Sequence, residues 1–531
     1  MRSLLLLHPS RLTGENYGVR VQHIETMQTL LDGHGWVVNA LDPLHPAFAG
    51  AALSSDVVVV HMLPHREIES LIRIRRGRGL PTVFEISDNF LAIGPWLPPR
   101  HLMRSPLVRQ NLLYYAATSD AVQVYSPGLA ELAAHLNPNI IALDPYVEIQ
   151  RPRAKPSRFV FGWGGTTSHE RDLAPIAPAI VAFCSRHADA VFAFMGDAAM
   201  FARLFGALPR EQARVQPFGS SGAYLKFVRS LHVGLAPLAA SSFNDGRTDT
   251  KFATYAACGA VALLQDAPAH AAHRGRALLF GTPGQMLERL ESLYAGTLTG
   301  DVASRAHAWV TRERSAEALR AQRVRAYERL APPQPSGEAQ RIEPVRRIEP
   351  MAEYALRIAA ASLRIAAASR GDVADVLDDV LPIAEAHRTY IPAQLLAARA
   401  LDAAGRPAEA LDLLDRAETP PLYADSVAEL QLHLVRKVRP AEGEQYLARI
   451  ASPLARLRIR HREMTDPLAF YRAVLAQQPY DYFALSAAIR ILGRDGDPDE
   501  LHALYERATL VAPELVPAAE RPAHLRRFLG E

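Results

Sequence analysis

Gly234-Leu235-Ala236-Pro237-Leu238, then Phe243-Asn244-Asp245-Gly246-Arg247-Thr248-Asp249-Thr250-Lys251-Phe252-Ala253-Thr254-Tyr255-Ala256-Ala257-Cys258-Gly259-Ala260-Val261-Ala262-Leu263, is the stretch on which the fold turns. The apolar run Val233–Ala236 is short enough for a buried strand, and Ala260–Leu264 reads as another. Between them a polar loop leads into a small-residue helix over Lys251–Cys258. Strand, loop, helix and strand in that order form the repeating unit of a parallel sheet. The loop brings free N–H groups and the positive end of a helix dipole next to Arg247 and Lys251, a combination that suits a diphosphate.

The same alternation runs outward on both sides. Downstream of residue 150, Arg158–Gly162 and Ala190–Met195 read as strands, with a helix over Ala174–Ser185 between them. Upstream, Leu4–Leu7, Trp36–Leu41, Thr82–Ile86 and Ala121–Tyr125 read as strands. Val57-Val58-Val59-Val60 is a β-branched run fit for a strand buried on both faces. Two Rossmann-like domains follow, 1–150 and 151–330, and such a pair traps ligand between the carboxyl ends of its strands. Residues 331–350 are rich in Pro, Glu and Arg, with Arg-Ile-Glu-Pro at Arg341 and again at Arg347, and read as a linker. Residues 351–531 show helical periods only. Gly371-Asp372-Val373-Ala374-Asp375 returns in kind as Gly405-Arg406-Pro407-Ala408-Glu409, 34 residues on, the tetratricopeptide period. A third copy at Gly496 lies off that period, which predicts an irregular stretch around Arg436–Pro453. An all-α, tetratricopeptide-like repeat domain is expected.

The composition narrows the function. A net charge of +3 calls for no nucleic acid partner. The two cysteines, Cys184 and Cys258, exclude a disulfide framework, make a poor metal site and suit a reducing cytosol. The run at Leu4–Leu7 is cut by His8 and Pro9 and is too short for a secretory signal. No apolar stretch approaches the ~18 residues of a membrane span. A cytoplasmic protein is expected, with any membrane contact peripheral.

The opening stretch resembles the donor-binding signature of the group 1, retaining GT-B glycosyltransferases, where G-L-A-P-L leads through a polar loop into K-x-x-E-Y-x-A-x-G-x-P-V-V. Other segments resemble the same family. Phe159–Leu173, with Gly164, Gly165, Thr166, His169 and Asp172, is similar to the opening strand and glycine loop of its second domain. Phe192–Asp197 is similar to the next strand end, and Arg305–Leu330 to the helix that crosses back. More loosely, Gly14–Arg20, Phe84–Phe90 and Asp120–Leu129 match first-domain segments. The resemblance spans about Leu4 to Leu330 and departs at two places: Thr254 stands where the family has a ribose-gripping Glu, and Gly246 stands where it has a second carboxylate. Either Asp245 or Asp249 replaces the missing charge, or the site has decayed into a scaffold.

The resemblance implies a nucleotide-sugar donor held by Gly164, Gly165, Thr166, His169, Asn244, Asp245, Arg247, Lys251, Thr254 and Tyr255, near a flexible loop with Gly14, Tyr17 and Arg20. It implies no cofactor and no metal, and retention of anomeric configuration, which spacing alone does not show. An inverting reaction needs a base, and Asp88 and His61, at expected strand ends, are the candidates for that catalytic role. Helical-hairpin arrays present long binding surfaces, so a protein acceptor is expected. A polysaccharide or lipid-linked-glycan acceptor, or an inactive GT-B adaptor, are the alternatives.

Overall fold

Short apolar runs, most of them buried on both faces, build two parallel sheets. A computed structural model describes residues 1–9, 20–94, 103–151, 154–297, 301–334, 339–342, 357–358, 361, 373–460, 465–493 and 496–530. The first sheet contains β1 (Arg2–Leu7), β2 (Trp36–Leu41), β3 (Val57–His61), β4 (Thr82–Glu85), β5 (Ala121–Val124) and β6 (Ile140–Ala142), in the order β2-β1-β3-β4-β5-β6. The second contains β7 (Val160–Gly164), β8 (Val191–Met195), β9 (Ala213–Gln216), β10 (Val233–Ala236), β11 (Val261–Gln265) and β12 (Leu278–Phe280), in the order β12-β11-β10-β7-β8-β9. Every neighbouring pair is parallel. The side on which successive strands are added reverses between β1 and β3 in the first unit and between β7 and β10 in the second. These are the switch points where open α/β sheets leave a crevice for ligand.

One strand corrects the sequence reading. β7 does not end at Gly162 but runs to Gly164, because parallel pairing with β8 continues to Gly164 opposite Met195. Trp163 is fully buried by that extension. The helix expected from Ala174 is split: Glu170–Leu173, a 3-10 turn, then Ala177–Arg186.

The closing segment forms two helices, Asp301–Arg314 and Ala316–Glu328. Tyr327 is fully buried in the first domain, with its ring 6.1 Å from Trp36. Arg314 ties the domains together, 2.8 Å from Asp144 and 3.0 Å from Asp249. The described part of the expected linker is docked on the edge strand β2. Asn39 donates to the Gln340 carbonyl at 2.9 Å and accepts from the Ile342 N–H at 2.9 Å, and Arg341 donates to the Val38 carbonyl at 2.9 Å. An edge strand has unpaired polar groups on its outer side, and Arg341 satisfies one of them, the Val38 carbonyl.

Among the described residues, the C-terminal region carries helices and no strand. Val373–Ala386, Ile391–Ala403, Pro407–Asp415 and Ala424–Val438 follow one another, each packed on the next. The first copy of the repeat motif begins at Gly371, outside the described residues; its helix starts at Val373. Within residues 436–453, where the repeat period is expected to break, lies the short helix Gly443–Ala448, and another, Pro453–Ile459, begins at its end. Pro467–Gln477, Tyr482–Leu492, Pro498–Val511 and Ala523–Leu529 complete the array.

This array shares one continuous apolar core with the first domain. Phe48 meets Tyr423 edge-on at 6.3 Å, and Tyr390 donates to the Leu44 carbonyl at 2.8 Å. Polar contacts line the same seam: Arg66 to Glu429 at 2.6 Å, Ser426 to Glu67 at 3.2 Å, Ser452 to Glu69 at 3.2 Å, and the Tyr482 N–H to Gln110 at 2.8 Å. The face of the array that meets the first domain is therefore occupied by the chain itself.

Candidate functional site

After β10 the Ser241 hydroxyl caps the short helix Ser242–Asp245, accepting from the Asn244 N–H at 3.2 Å. The chain then enters the helix Thr250–Ala257. Gly234 allows that helix to lie flat on the strand, since a Cβ there would sit 2.5 Å from the Tyr255 ring. Tyr255 is fully buried and donates to the Leu235 carbonyl at 2.7 Å. It is a packing residue, so its expected contact with the donor is corrected: every part of it is enclosed by strand and helix. Thr254 is buried, and its hydroxyl donates to the Thr250 carbonyl one helical turn back at 2.7 Å.

Lys251 points to the end of β7. Its ammonium donates to the Gly164 carbonyl at 2.5 Å and lies 5.0 Å from the centre of the Trp163 ring. The Gly165 N–H donates to the Met195 carbonyl at 3.0 Å, and a Cβ at Gly165 would lie 2.6 Å from the Trp163 indole and 3.3 Å from the Lys251 ammonium. Backbone, cation and ring thus meet at the switch point of the second sheet. Burial, followed by the nearby Arg247, pushes the Lys251 ammonium down to about 8. Arg247 spans the cleft: its guanidinium is 3.1 Å from Asp88 of the first domain and 4.5 Å from the centre of the Phe243 ring.

Asp172 holds this arrangement from below. It accepts from the Ala239 N–H at 2.9 Å and from Asn244 at 2.8 Å, and its other oxygen is 2.7 Å from His169 Nδ1. Asn244 also donates to the Ala239 carbonyl at 2.8 Å, so its amide shapes the loop. Burial, helped by Arg247 and Lys251, pushes His169 down to about 4, against the pull of Asp172. The Thr166 hydroxyl shares a hydrogen bond of 2.7 Å with Ser168 at the open edge of the glycine loop. Of the two carboxylates expected to stand in for the missing Glu, Asp249 is engaged by His273 and Arg314, both at 3.0 Å. Asp245 is exposed at the end of its short helix.

The first domain closes over this loop through contacts that sequence reading missed. Ser126 donates to the Gly246 carbonyl at 2.8 Å, and a Cβ at Gly128 would lie 2.5 Å from the Asp245 carbonyl oxygen. The Asn89 amide donates both to the Ser242 carbonyl at 3.1 Å and to the Phe528 carbonyl at 3.0 Å, joining all three units. Gly14 and Tyr17 lie outside the described residues, and Arg20 opens the π-helix Arg20–Glu25.

His61 faces Glu85. The two are 2.5 Å apart, and His23 Nδ1 is 2.8 Å from the same carboxylate oxygen. Burial, then the neighbouring His23, pushes His61 down, against the pull of Glu85. Burial raises the Glu85 carboxyl, but His23 and then His61 outweigh it and hold it well below the usual range. Among the described residues this is the group of three metal-ligand side chains that converges. The signal in the sequence was Glu85 itself, an acid set in the apolar run Thr82–Ile86.

No family model matches the sequence, and no curated protein does. Solved structures resemble the chain at a distance. HepE of Anabaena, in complex with UDP-glucose, has 14% identity and a TM-score of 0.45, over 62% of this chain and 100% of that one. A UDP-forming α,α-trehalose-phosphate synthase from Burkholderia vietnamiensis has 13% identity and a TM-score of 0.42, again over 62% and 100%. The pneumococcal O-GlcNAc transferase GtfA, in complex with UDP and GlcNAc, has 8% identity and a TM-score of 0.41, over 54% and 59%. At these values the likenesses add no weight to the geometry above.

Proposed function

We propose that this chain is a GT-B glycosyltransferase that takes a sugar from a nucleotide-sugar donor. One observation carries the reading: Arg247 and Lys251 converge with the glycine loop at the switch point of the second sheet, under the first domain. A departing nucleoside diphosphate develops charge, and fixed cations with oriented amides stabilise it without reorganising. Lys251 and Arg247 take the diphosphate oxygens, and Gly165 lets the backbone come close. No metal is needed at this diphosphate. Arg247 would turn from Asp88 of the first domain toward the diphosphate. Retention is the outcome the family resemblance suggests. Thr254, already donating to Thr250, offers the ribose only an acceptor oxygen.

A protein acceptor is the reading we favour, with docking on the array surface that does not face the first domain. Incubation with a panel of nucleotide sugars, followed by calorimetry, tests the donor site. Saturable binding by one donor, lost in Arg247→Ala and Lys251→Ala, supports the reading. Failure of every nucleotide sugar to bind points to the GT-B adaptor instead. Intact-mass analysis of proteins and glycans offered as acceptors then separates the two acceptor classes.

A further inference from the structure

The switch point of the first sheet holds a second constellation, separate from the diphosphate residues. His8 follows β1, His61 ends β3 and Glu85 ends β4, while His23 comes from the helix Arg20–Glu25 above them. His23, His61 and Glu85 are all buried, at 8%, 7% and 1% exposure. The imidazole rings stand 4.4 Å apart at a tilt of 53°, with both Nδ1 atoms beside Glu85 Oε1.

The hydrogen bonding within this group is incomplete. His61 Nδ1 bonds to Glu85 at 2.5 Å. His23 Nδ1, also buried, lies 2.8 Å from the same oxygen without a well-formed hydrogen bond, and among the described residues it has no other partner. His8 Nδ1, at the same strand ends, is also buried without a hydrogen-bond partner among them. A desolvated ring nitrogen left unpaired is destabilising, so both invite a ligand. Glu85 Oε2 is already held in place, accepting from the Tyr125 hydroxyl at 2.8 Å and from the Gln123 amide. Gln123 in turn donates to the Tyr125 oxygen at 2.8 Å and accepts from the buried Tyr327 hydroxyl. A carboxylate with one oxygen fixed by outer hydrogen bonds and the other turned toward two imidazoles is how a metal-binding carboxylate is oriented.

We propose that His23 Nδ1, His61 Nδ1 and Glu85 Oε1 bind a divalent transition metal ion of the zinc, cobalt or iron class. Two imidazoles and one carboxylate are a ligand set such ions accept. The metal takes the place of the proton that His61 Nδ1 shares with Glu85, and the imidazole carries its proton on Nε2 instead. No redox change is involved. Bonds of about 2.0–2.2 Å would move the three ligand atoms apart by roughly half an ångström or more. His23 would then tie the first helix to the strand ends. The two cysteines that spoke against a metal in the sequence have no bearing on ligands scattered over a helix and two strands.

Cobalt(II) is the probe, because its visible d–d absorption reports coordination without reference to activity. The full chain is dialysed against a chelator, then titrated with cobalt(II), and the signal is competed with zinc(II). One saturable equivalent is expected, weakened at least ten-fold in Glu85→Gln and in His23→Gln. Glu85→Gln keeps the shape of the carboxylate; should it fail to fold, His23→Gln, on the helix at the rim of the group, carries the comparison. No saturable signal in the unaltered chain would overturn the proposal and leave a proton-sharing His–Glu–His group. A signal unchanged in the folded variants would overturn it too, since the chain has 19 histidines. Donor binding is not part of this measurement, so either result stands apart from the glycosyltransferase reading.

Discussion

Asp88 and Arg247, 159 residues apart in the chain, face each other across the cleft with Oδ1 and Nη1 separated by 3.1 Å. One belongs to the first sheet's strand ends and the other to the loop below β10, so the pair spans the two domains where a donor diphosphate would lie. Both side chains are about one-fifth exposed, so the contact is only partly screened by water.

On the proposed reading, the pair competes with the donor. Removing Arg247 deletes a charge-assisted contact worth about 1.5–3 kcal/mol, so Arg247→Ala should weaken nucleotide-sugar binding by roughly 10- to 100-fold. Asp88→Asn removes the competitor and should tighten donor binding a few-fold while reducing turnover. Calorimetry on both variants reads the opposite signs directly; equal weakening by the two would sink the competition.

Lys251 makes donor binding pH-dependent. Its ammonium is pushed down to about 8 in the free chain, and a bound diphosphate would raise it again. The complex then holds a proton that the free protein sheds above pH 8. Affinity should be full below that value and fall by up to about tenfold per unit as pH rises past it. Lys251→Gln should bind weakly with a flat profile over the same range. Dissociation constants measured from pH 7 to 9.5 decide it.

Gly128 sets how closely the domains approach. Its missing Cβ would stand 2.5 Å from the Asp245 carbonyl oxygen, a backbone atom of the other domain that cannot swing aside. Gly128→Ala should leave each domain folded but hold the cleft apart, lowering donor affinity and enlarging the particle in small-angle scattering. An unchanged scattering profile with unchanged affinity would refute this.

The last helix acts as a third tie across the cleft. Phe528 is buried beside His135 at 5.2 Å, and its carbonyl accepts from Asn89. Phe528→Ala removes a contact of the kind that costs about 3–5 kcal/mol in a core. Here the loss should appear as local undocking, with faster amide exchange over Ala523–Leu529, Ser242–Asp245 and residues 87–91. Exchange confined to the last helix would show that it does not brace the cleft.

Most elements could be read from local pattern. The run Val57–Val60 became a strand buried on both faces, and Val233–Ala236 matched its strand residue for residue. Gly405 follows the helix Ile391–Ala403 and Pro407 opens the next, the punctuation that Gly and Pro led us to expect there. Tyr255 and Thr254 show the limit. Both sit at motif positions, yet one is enclosed in the core and the other hydrogen-bonds within its own helix. The motif marks the helix, while the phase of the helix against β10 decides which side chains reach the cleft.

By itself the sequence determined the alternation of strands and helices, the helical character of the C-terminal region, and the loop and helix start that carry Arg247 and Lys251. These follow from period and capping, which neighbours in the chain dictate. Only the tertiary structure decided that Arg247 meets Asp88, that His23 and His61 converge on Glu85, and that the helical array spends one face on the first domain. Those contacts depend on strand order and on how two domains and an array dock, and residues far apart in sequence carry no local signature of the partner they will find.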